Sequence, residues 1–401
     1  MIQQFPICRP LPIYFCWLLS LSLLLTACEK DLTSLPCVAA DRTLVVYLAG
    51  DNNLSAESFQ KLDAMTSAVA ESPLLASSKA QVVVYHDPAT ASGAAPSLWR
   101  LTHDSLKPQL IETYPSENSA SPEVLTRVIE RVKTIAPAKS YALWIFSHAS
   151  GWLPAGALSA PKSRSIVVDG KSEMEIAELS RAIPDNQFDI ILFEACFMAS
   201  VEVAWELRSK TRYIMASSAE MLSPGLTKLY AQTLPLLFDP ASQTNPLPAL
   251  TAIAKTYFNH QNAMVAADRS ATVSIIDTQN LAPLAHIASQ IVASASLLPS
   301  ELLPDIATMQ HFDRLSSHIF FDFGQYIAAI ASPPQRVQLQ DAISSAVPYA
   351  AATPQFMIGT NNLNGFNIHH HSGLTTYIPQ PQFPSLNTSH RTTSWHKAIH
   401  K

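Results

Sequence analysis

Two reactive side chains occupy matching places in this sequence. The apolar run 143–146 (LWIF) delivers Ser147, His148, Ala149, Ser150, Gly151 and Trp152, and the run 190–193 (IILF) delivers Glu194, Ala195 and Cys196. If both runs are strands of an open parallel sheet, their C-terminal ends lie on one edge, where such sheets bind ligands. The segment between them is long enough for one helical crossover, which would make the two strands neighbours about 5 Å apart. An imidazole within reach of a thiol is base-assisted nucleophilic chemistry. The base takes the thiol proton, the sulfur attacks an acyl carbon, and the imidazolium returns the proton to the leaving amine. A helix expected to begin directly after Cys196 would lower the thiol pKa further.

Each residue alone has an ordinary explanation. A cysteine closing an apolar strand is commonly an inert core residue, and a single histidine after a strand carries little weight. Their joint placement is what counts, together with the cysteine inventory. The chain has five cysteines, at 8, 16, 28, 37 and 196, and no regularly spaced pairs that would read as a disulfide framework. Cys8 and Cys16 fall in an expected leader, Cys28 at its end and Cys37 in a polar approach, so Cys196 is the one thiol expected inside the globular part.

The leader is residues 1–27. Arg9 is the single charged side chain before Glu29, and 11–27 is uncharged and mostly apolar, ending Leu25, Thr26, Ala27, Cys28. A spanning helix needs roughly 20 apolar residues, and Pro10 and Pro12 intrude, so the pattern is that of a secretory signal. The last four residues resemble a bacterial lipobox, in which Cys28 becomes the lipidated first residue of the exported protein. Residues 28–41 then read as a tether and 42–401 as the folded domain. The expected location is the bacterial cell envelope, with a membrane contact through the N-terminal lipid and the membrane face left open.

The elements that must position the pair follow from patterning. The chain has 401 residues, 48% of them hydrophobic, enough for a large core, and a formal net charge of −5 with no long basic run, which argues against a nucleic-acid partner. Residues 44–49 and 81–85 read as buried strands rich in Val and Tyr, 141–146 and 189–193 as the strands of the pair, and 213–216 as a fifth. Helical spacing joins Phe59, Leu62, Met65 and Val69, and Ser121-Pro122-Glu123 opens another helix with an N-cap, a first-turn proline and an early acid. Helices are also expected at 173–183 and 198–208. Strands alternating with helices predict an α/β fold with a mainly parallel sheet covered on both faces. Beyond 226 the chain reads as more helical, at 248–259, 281–295 and 337–350, with strands at 272–277 and 374–379.

The residues quoted so far resemble the clostripain family of cysteine peptidases, relatives of caspases, gingipains and legumains. LVVYLAGDNN (44–53) is similar to the family's first strand and turn, LWIFSHASGW (143–152) to its histidine motif, and FDIILFEACFMASVEVAWEL (188–207) to its cysteine motif. Softer similarities are ASSAEMLSPG from 216, VSIIDTQNLAPLA from 273, FFDFGQYI from 320 and GLTTYIP from 373, so the resemblance spans nearly the whole exported chain. It implies a caspase-like α/β/α sandwich. It also implies a peptidase in which His148 is the base and Cys196 the nucleophile, with cleavage of peptide bonds after Arg or Lys through a thioester. The oxyanion hole would be the backbone N–H groups of Ala149 and Cys196. The implied partners are protein or peptide substrates. No cofactor is required, and calcium modulation is compatible with the family.

Several positions depart from the family pattern. Ala149 stands where glycine is usual, which would strain the oxyanion hole if that position needs positive φ. Glu194 replaces an aspartate two residues before the nucleophile, in a place suited to meet a basic P1 side chain, and Asp51 is a second candidate for the same edge. Ser147 replaces a common aspartate. Lys162 and Arg164, in a loop-like stretch after the histidine motif, are candidate self-cleavage sites. His369, His370 and His371 read as structural and no metal is expected, because successive strand residues face opposite ways. The rival reading is an inactive relative that keeps the scaffold and binds peptides at the same sheet edge.

Overall fold

The run at 44–49 is the middle of a longer strand, β1 (Ala40–Gly50), and its alternation explains the architecture. Leu44, Val46 and Leu48 point into one apolar cluster, and Val45, Tyr47 and Ala49 into another on the opposite face. Both faces are buried, so the strand is apolar without interruption, as expected where helices cover a parallel sheet on both sides. The computed structural model describes residues 40–77, 79–157, 167–296, 303–359 and 364–400. β1 begins at Ala40, so the last two residues of the expected tether already belong to the sheet.

The further strands are β2 (Ala80–Pro88), β3 (Ser97–Leu101), β4 (Gln109–Thr113) and β5 (Ala138–Phe146), then a small hairpin of β6 (Val167–Asp169) and β7 (Ser172–Met174). They are followed by β8 (Phe188–Glu194), β9 (Thr211–Ala216), β10 (Thr272–Asp277), β11 (Phe321–Asp322) and β12 (Tyr349–Ala352). The main sheet has the order β12-β10-β9-β8-β5-β1-β2-β3-β4. β9, β8, β5, β1 and β2 run parallel, and antiparallel strands flank them at both margins. This is the expected α/β sandwich, with a mainly parallel sheet and helices on both faces.

Helix α1 (Ser55–Ala70) packs Leu62, Met65 and Val69 on one face of the sheet, and α2 (Pro122–Ile135) packs Leu125, Val128, Ile129 and Val132 on the other. α2 starts as its sequence predicts: the Ser121 hydroxyl accepts from the N–H of Glu123 and Val124, with Pro122 in the first turn. Each fully buried Leu or Ile in these layers contributes about 1.5–3 kcal/mol.

Several expected elements differ. β3 and β4 escape a hydrophobicity reading because SLWRL and QLIET are short, with polar residues among the apolar ones, and QLIET is largely exposed. The helix expected to run to 350 ends at Ala346, and Tyr349–Ala352 turns back as the margin strand β12. The expected strand at 374–379 is reduced to Thr375–Thr376, which pairs with β11 outside the main sheet. The hairpin β6–β7 takes the start of the helix expected at 173–183, leaving α3 (Ile176–Ala182).

Candidate active site

The site is built on one register pair. β5 and β8 are adjacent and parallel, and Phe146 is the partner of Glu194. His148 and Cys196 each follow two residues later, so the sheet delivers them to its C-terminal edge in step. Both are partly exposed and both line one cleft of about 360 Å³, together with Asn53, Glu57, Glu220 and Arg314.

The histidine is held by a residue the sequence reading missed. His148 Nε2 lies 2.7 Å from Asn53 Oδ1, in the turn between β1 and α1. An amide oxygen only accepts, so Nε2 is the nitrogen that donates to it. The turn itself is fixed by Asn52, whose Nδ2 donates to Ala49 O at 3.2 Å and Val168 O at 2.8 Å, while its Oδ1 accepts from Leu54 N. Helix capping, the obvious reading of Asp51, Asn52 and Asn53, is not their role: the cap position is Leu54 and no side chain caps α1. Asp51 accepts from Thr90 N and Oγ1 at 3.1 and 2.9 Å and is absent from the cleft lining. Ser147 accepts from Val168 N at 3.1 Å and so ties the histidine turn to the β6–β7 hairpin.

Cys196 does not stand at a helix N-terminus. α4 (Val201–Glu206) begins five positions later, capped by Ser200, and an irregular turn intervenes. In that turn Phe197 has φ 60°, a left-handed conformation that costs a non-glycine residue about 1–3 kcal/mol. Its ring stacks on Phe320 with centroids 4.5 Å apart, and its N–H donates to Ala219 O at 3.0 Å, which hold the turn in place. Gly151, at φ 63°, lets the histidine turn press against it, since a Cβ there would meet Phe197 O at 2.7 Å. Ala149 is not among the residues with positive φ, so the strain expected from replacing glycine does not arise.

The expected lowering of the thiol pKa is reversed. Burial among protein atoms pushes Cys196 up to about 12, and Glu220 adds to the rise. The Met221 N–H, 3.4 Å from Sγ, and Arg314 pull the other way. At neutral pH Cys196 is therefore a thiol that accepts one backbone hydrogen bond.

Glu194 lines the cleft, yet its carboxylate is fully engaged beneath it. Oε1 accepts from Lys61 Nζ at 2.5 Å and Leu226 N at 2.7 Å, and Oε2 from Trp144 Nε1 at 3.0 Å and Tyr230 Oη at 2.8 Å. Only 3% of the residue is exposed, and the Lys61 side chain is wholly buried. The carboxylate expected to reach substrate is thus a buried anchor. Gly225 is required beside it, because a Cβ at that position would collide with Glu194 Oε1. Two other carboxylates remain on the cleft wall. Glu57 accepts from Ser223 Oγ at 2.5 Å and stands 3.3 Å from Lys61 Nζ, and Glu220 takes a bidentate pair from Arg314 at 2.6 and 2.9 Å.

Lys162 and Arg164 lie outside the described residues, as do Cys28 and the rest of 1–39. Of the three consecutive histidines, His371 is half-buried with Nε2 3.1 Å from Ser218 Oγ, consistent with packing. Among the described residues no helix is long and apolar enough to cross a membrane.

A sequence model of the clostripain family matches residues 46–345. Among solved structures, an inactive zymogen C11 protease from Parabacteroides distasonis is similar at 28% identity and a TM-score of 0.77, covering 90% of this chain and 99% of that one. A secreted C11 cysteine protease from Bacteroides thetaiotaomicron, in complex with an irreversible peptide inhibitor, is similar at 25% identity and a TM-score of 0.74, covering 90% and 98%. No curated protein matches the chain.

Proposed function

Since the chain belongs to the clostripain family and is a cysteine-type peptidase by fold and descent, we propose that it is a working endopeptidase in which Cys196 attacks the peptide carbonyl and His148 moves the proton. The observation that carries this is the matched two-residue offset of both side chains past the Phe146–Glu194 register pair, into one cleft. Because the thiol is neutral at rest, His148 Nδ1 accepts its proton as the C–S bond forms, and the imidazolium then protonates the departing amine. The thioester is hydrolysed by water with His148 again as base. The backbone N–H groups of Ala149 and Cys196 stabilise the tetrahedral oxyanion, a contribution of about a hundredfold or more in rate per donor.

The P1 side chain is proposed to be Arg or Lys. Three carboxylates, Glu57, Glu194 and Glu220, meet two cations, Lys61 and Arg314, at and below the cleft, leaving one negative charge in excess. Glu57 and Glu220, on the wall, are the groups placed to meet a cationic side chain, and Glu194 keeps Lys61 neutralised beneath them. No cofactor is needed for these steps, and calcium acts at most as a modulator.

We further propose that residues 1–27 are a signal, that Cys28 carries lipid and that the domain is held at the bacterial cell envelope. Lys162 and Arg164 remain the proposed points of self-cleavage.

Turnover of fluorogenic Arg and Lys peptides by the full chain, with Cys196→Ala as control, tests the peptidase reading. The expected result is turnover that vanishes in the variant. Turnover unchanged in Cys196→Ala would remove the nucleophile assignment. Tight peptide binding with no turnover by the unaltered protein would instead establish a peptide-binding relative.

A further inference from the structure

The segment between Met309 and Phe320 gathers three metal-capable side chains that the peptidase chemistry does not use. His311, Asp313 and His318 each place a ligand atom within 4.8 Å of the others. Asp313 is the organiser: it is 1% exposed, its Oδ2 accepts from Ile319 N and Phe320 N at 2.9 Å, and its Oδ1 accepts from Leu315 N at 3.1 Å. The same Oδ1 lies 3.0 Å from His318 Nδ1, and the Asp313 carbonyl lies 3.0 Å from His311 Nδ1. Both Nδ1 atoms therefore donate within the loop, and both Nε2 atoms keep their lone pairs. That tautomer, with the far ring nitrogen bound to a carboxylate or a backbone carbonyl, is the one metal-ligating histidines adopt. The two rings lie face to face, with centroids 3.4 Å apart and planes 9° apart, and two imidazolium ions would repel at that distance.

We infer that His311 and His318, oriented by Asp313, form a binding site for a divalent transition ion of the zinc class. Imidazole nitrogen selects such ions, whereas calcium and magnesium require an oxygen shell that this loop does not offer, since the carboxylate is committed to three backbone N–H groups. Two Nε2 atoms at about 2.0–2.1 Å supply half of a tetrahedral shell and water the rest. Parallel rings do not converge on one point, so capture tilts the His318 ring about its Nδ1 contact with Asp313, which its 33% exposed side chain has room to do. None of the three residues lines the catalytic cleft, but Arg314 within the same loop carries the bidentate pair to Glu220, which does. Loading of this site therefore fixes a segment that contributes one wall of the substrate cleft.

The test is zinc titration of full-length Cys196→Ala by calorimetry, which removes capture by the catalytic thiol, against the same protein with His311→Gln and His318→Gln added. The expected result is one bound equivalent lost, or its affinity lowered at least tenfold, with the melting temperature in chelator unchanged. Equal stoichiometry and affinity in both proteins, or no binding by Cys196→Ala, overturns the site. Should the double histidine variant fail to fold, nitrogen-15 histidine spectra of Cys196→Ala decide without it. Two Nε2 resonances that move on zinc addition support the site, and their constancy overturns it.

Discussion

Asn53 Oδ1 accepts from His148 Nε2 at 2.7 Å, so the turn after β1 orients the imidazole at the cleft. A side chain 95 positions earlier in the chain thereby sets which ring nitrogen donates. Without that acceptor the ring loses the contact that directs its Nε2 proton. Asn53→Ala is expected to lower kcat on the order of 100-fold with KM nearly unchanged, the cost of a misplaced catalytic group. A merely structural role would instead appear as a lower melting temperature with kcat preserved in the folded fraction.

The wall carboxylates predict a split between binding and stability. Glu57→Gln is expected to lower kcat/KM for Arg and Lys peptides by about 10- to 100-fold, the scale of a hydrogen bond to a charged group, and to leave peptides with an uncharged P1 residue unaffected. Steady-state kinetics on matched substrates measure this directly, and an equal loss on both would show that Glu57 does not read charge.

Glu194→Ala behaves differently. It strands Lys61, whose side chain is fully buried, and leaves Trp144 Nε1 and Tyr230 Oη without their acceptor. Breaking a buried pair in this way costs about 3–5 kcal/mol, visible as a shifted urea midpoint, while the folded fraction is expected to cleave the same P1 residues as the unaltered protein.

Thiol chemistry supplies a pH prediction. With Cys196 pushed up to about 12, alkylation of the free enzyme by iodoacetamide is expected to keep rising through about pH 9 without a plateau. A plateau between about pH 6 and 8 would reveal a thiolate already formed before substrate arrives.

Stability should also depend on Asp87, near the end of β2. Burial raises its pKa from 3.8 to about 8; Ser119 opposes the rise and the nearby Asp169 and Asp51 carboxylates add to it. The folded chain keeps a proton that the unfolded chain releases, so this contribution to stability is complete below about pH 4 and is lost as pH rises toward 8. Asp87→Asn is expected to flatten that decline in thermal melts recorded across the interval.

Much of this was legible in the residues. Strands β1, β5 and β8 announce themselves because a strand buried on both faces is apolar without a break, and His148 and Cys196 stand where such strands stop. What could not be read depends on distances that sequence does not encode. Asn53 looks like a helix cap until the ring beside it is seen, and Glu194 looks ready for a basic P1 side chain until Lys61, 133 positions away, is placed against it. The turn after Cys196 reads as a helix because FMASVEVAWEL is apolar at helical intervals, but Phe197 adopts a left-handed conformation and delays the helix to Val201. β4 and β12 are half-exposed margins, where the hydrophobic signal is weakest, and β3 beside β4 is too short to announce itself.

The placement of those margins has its own consequence. Any strand from another molecule that extends this sheet must join at β12 or β4, where backbone N–H and C=O groups are still available. It would then lie beyond three strands on the β8 side, or four on the β5 side, from the pair that bears the sulfur and the imidazole. Lateral growth of the sheet and access to the cutting edge are therefore spatially independent, and self-association by that route leaves the peptidase open for work.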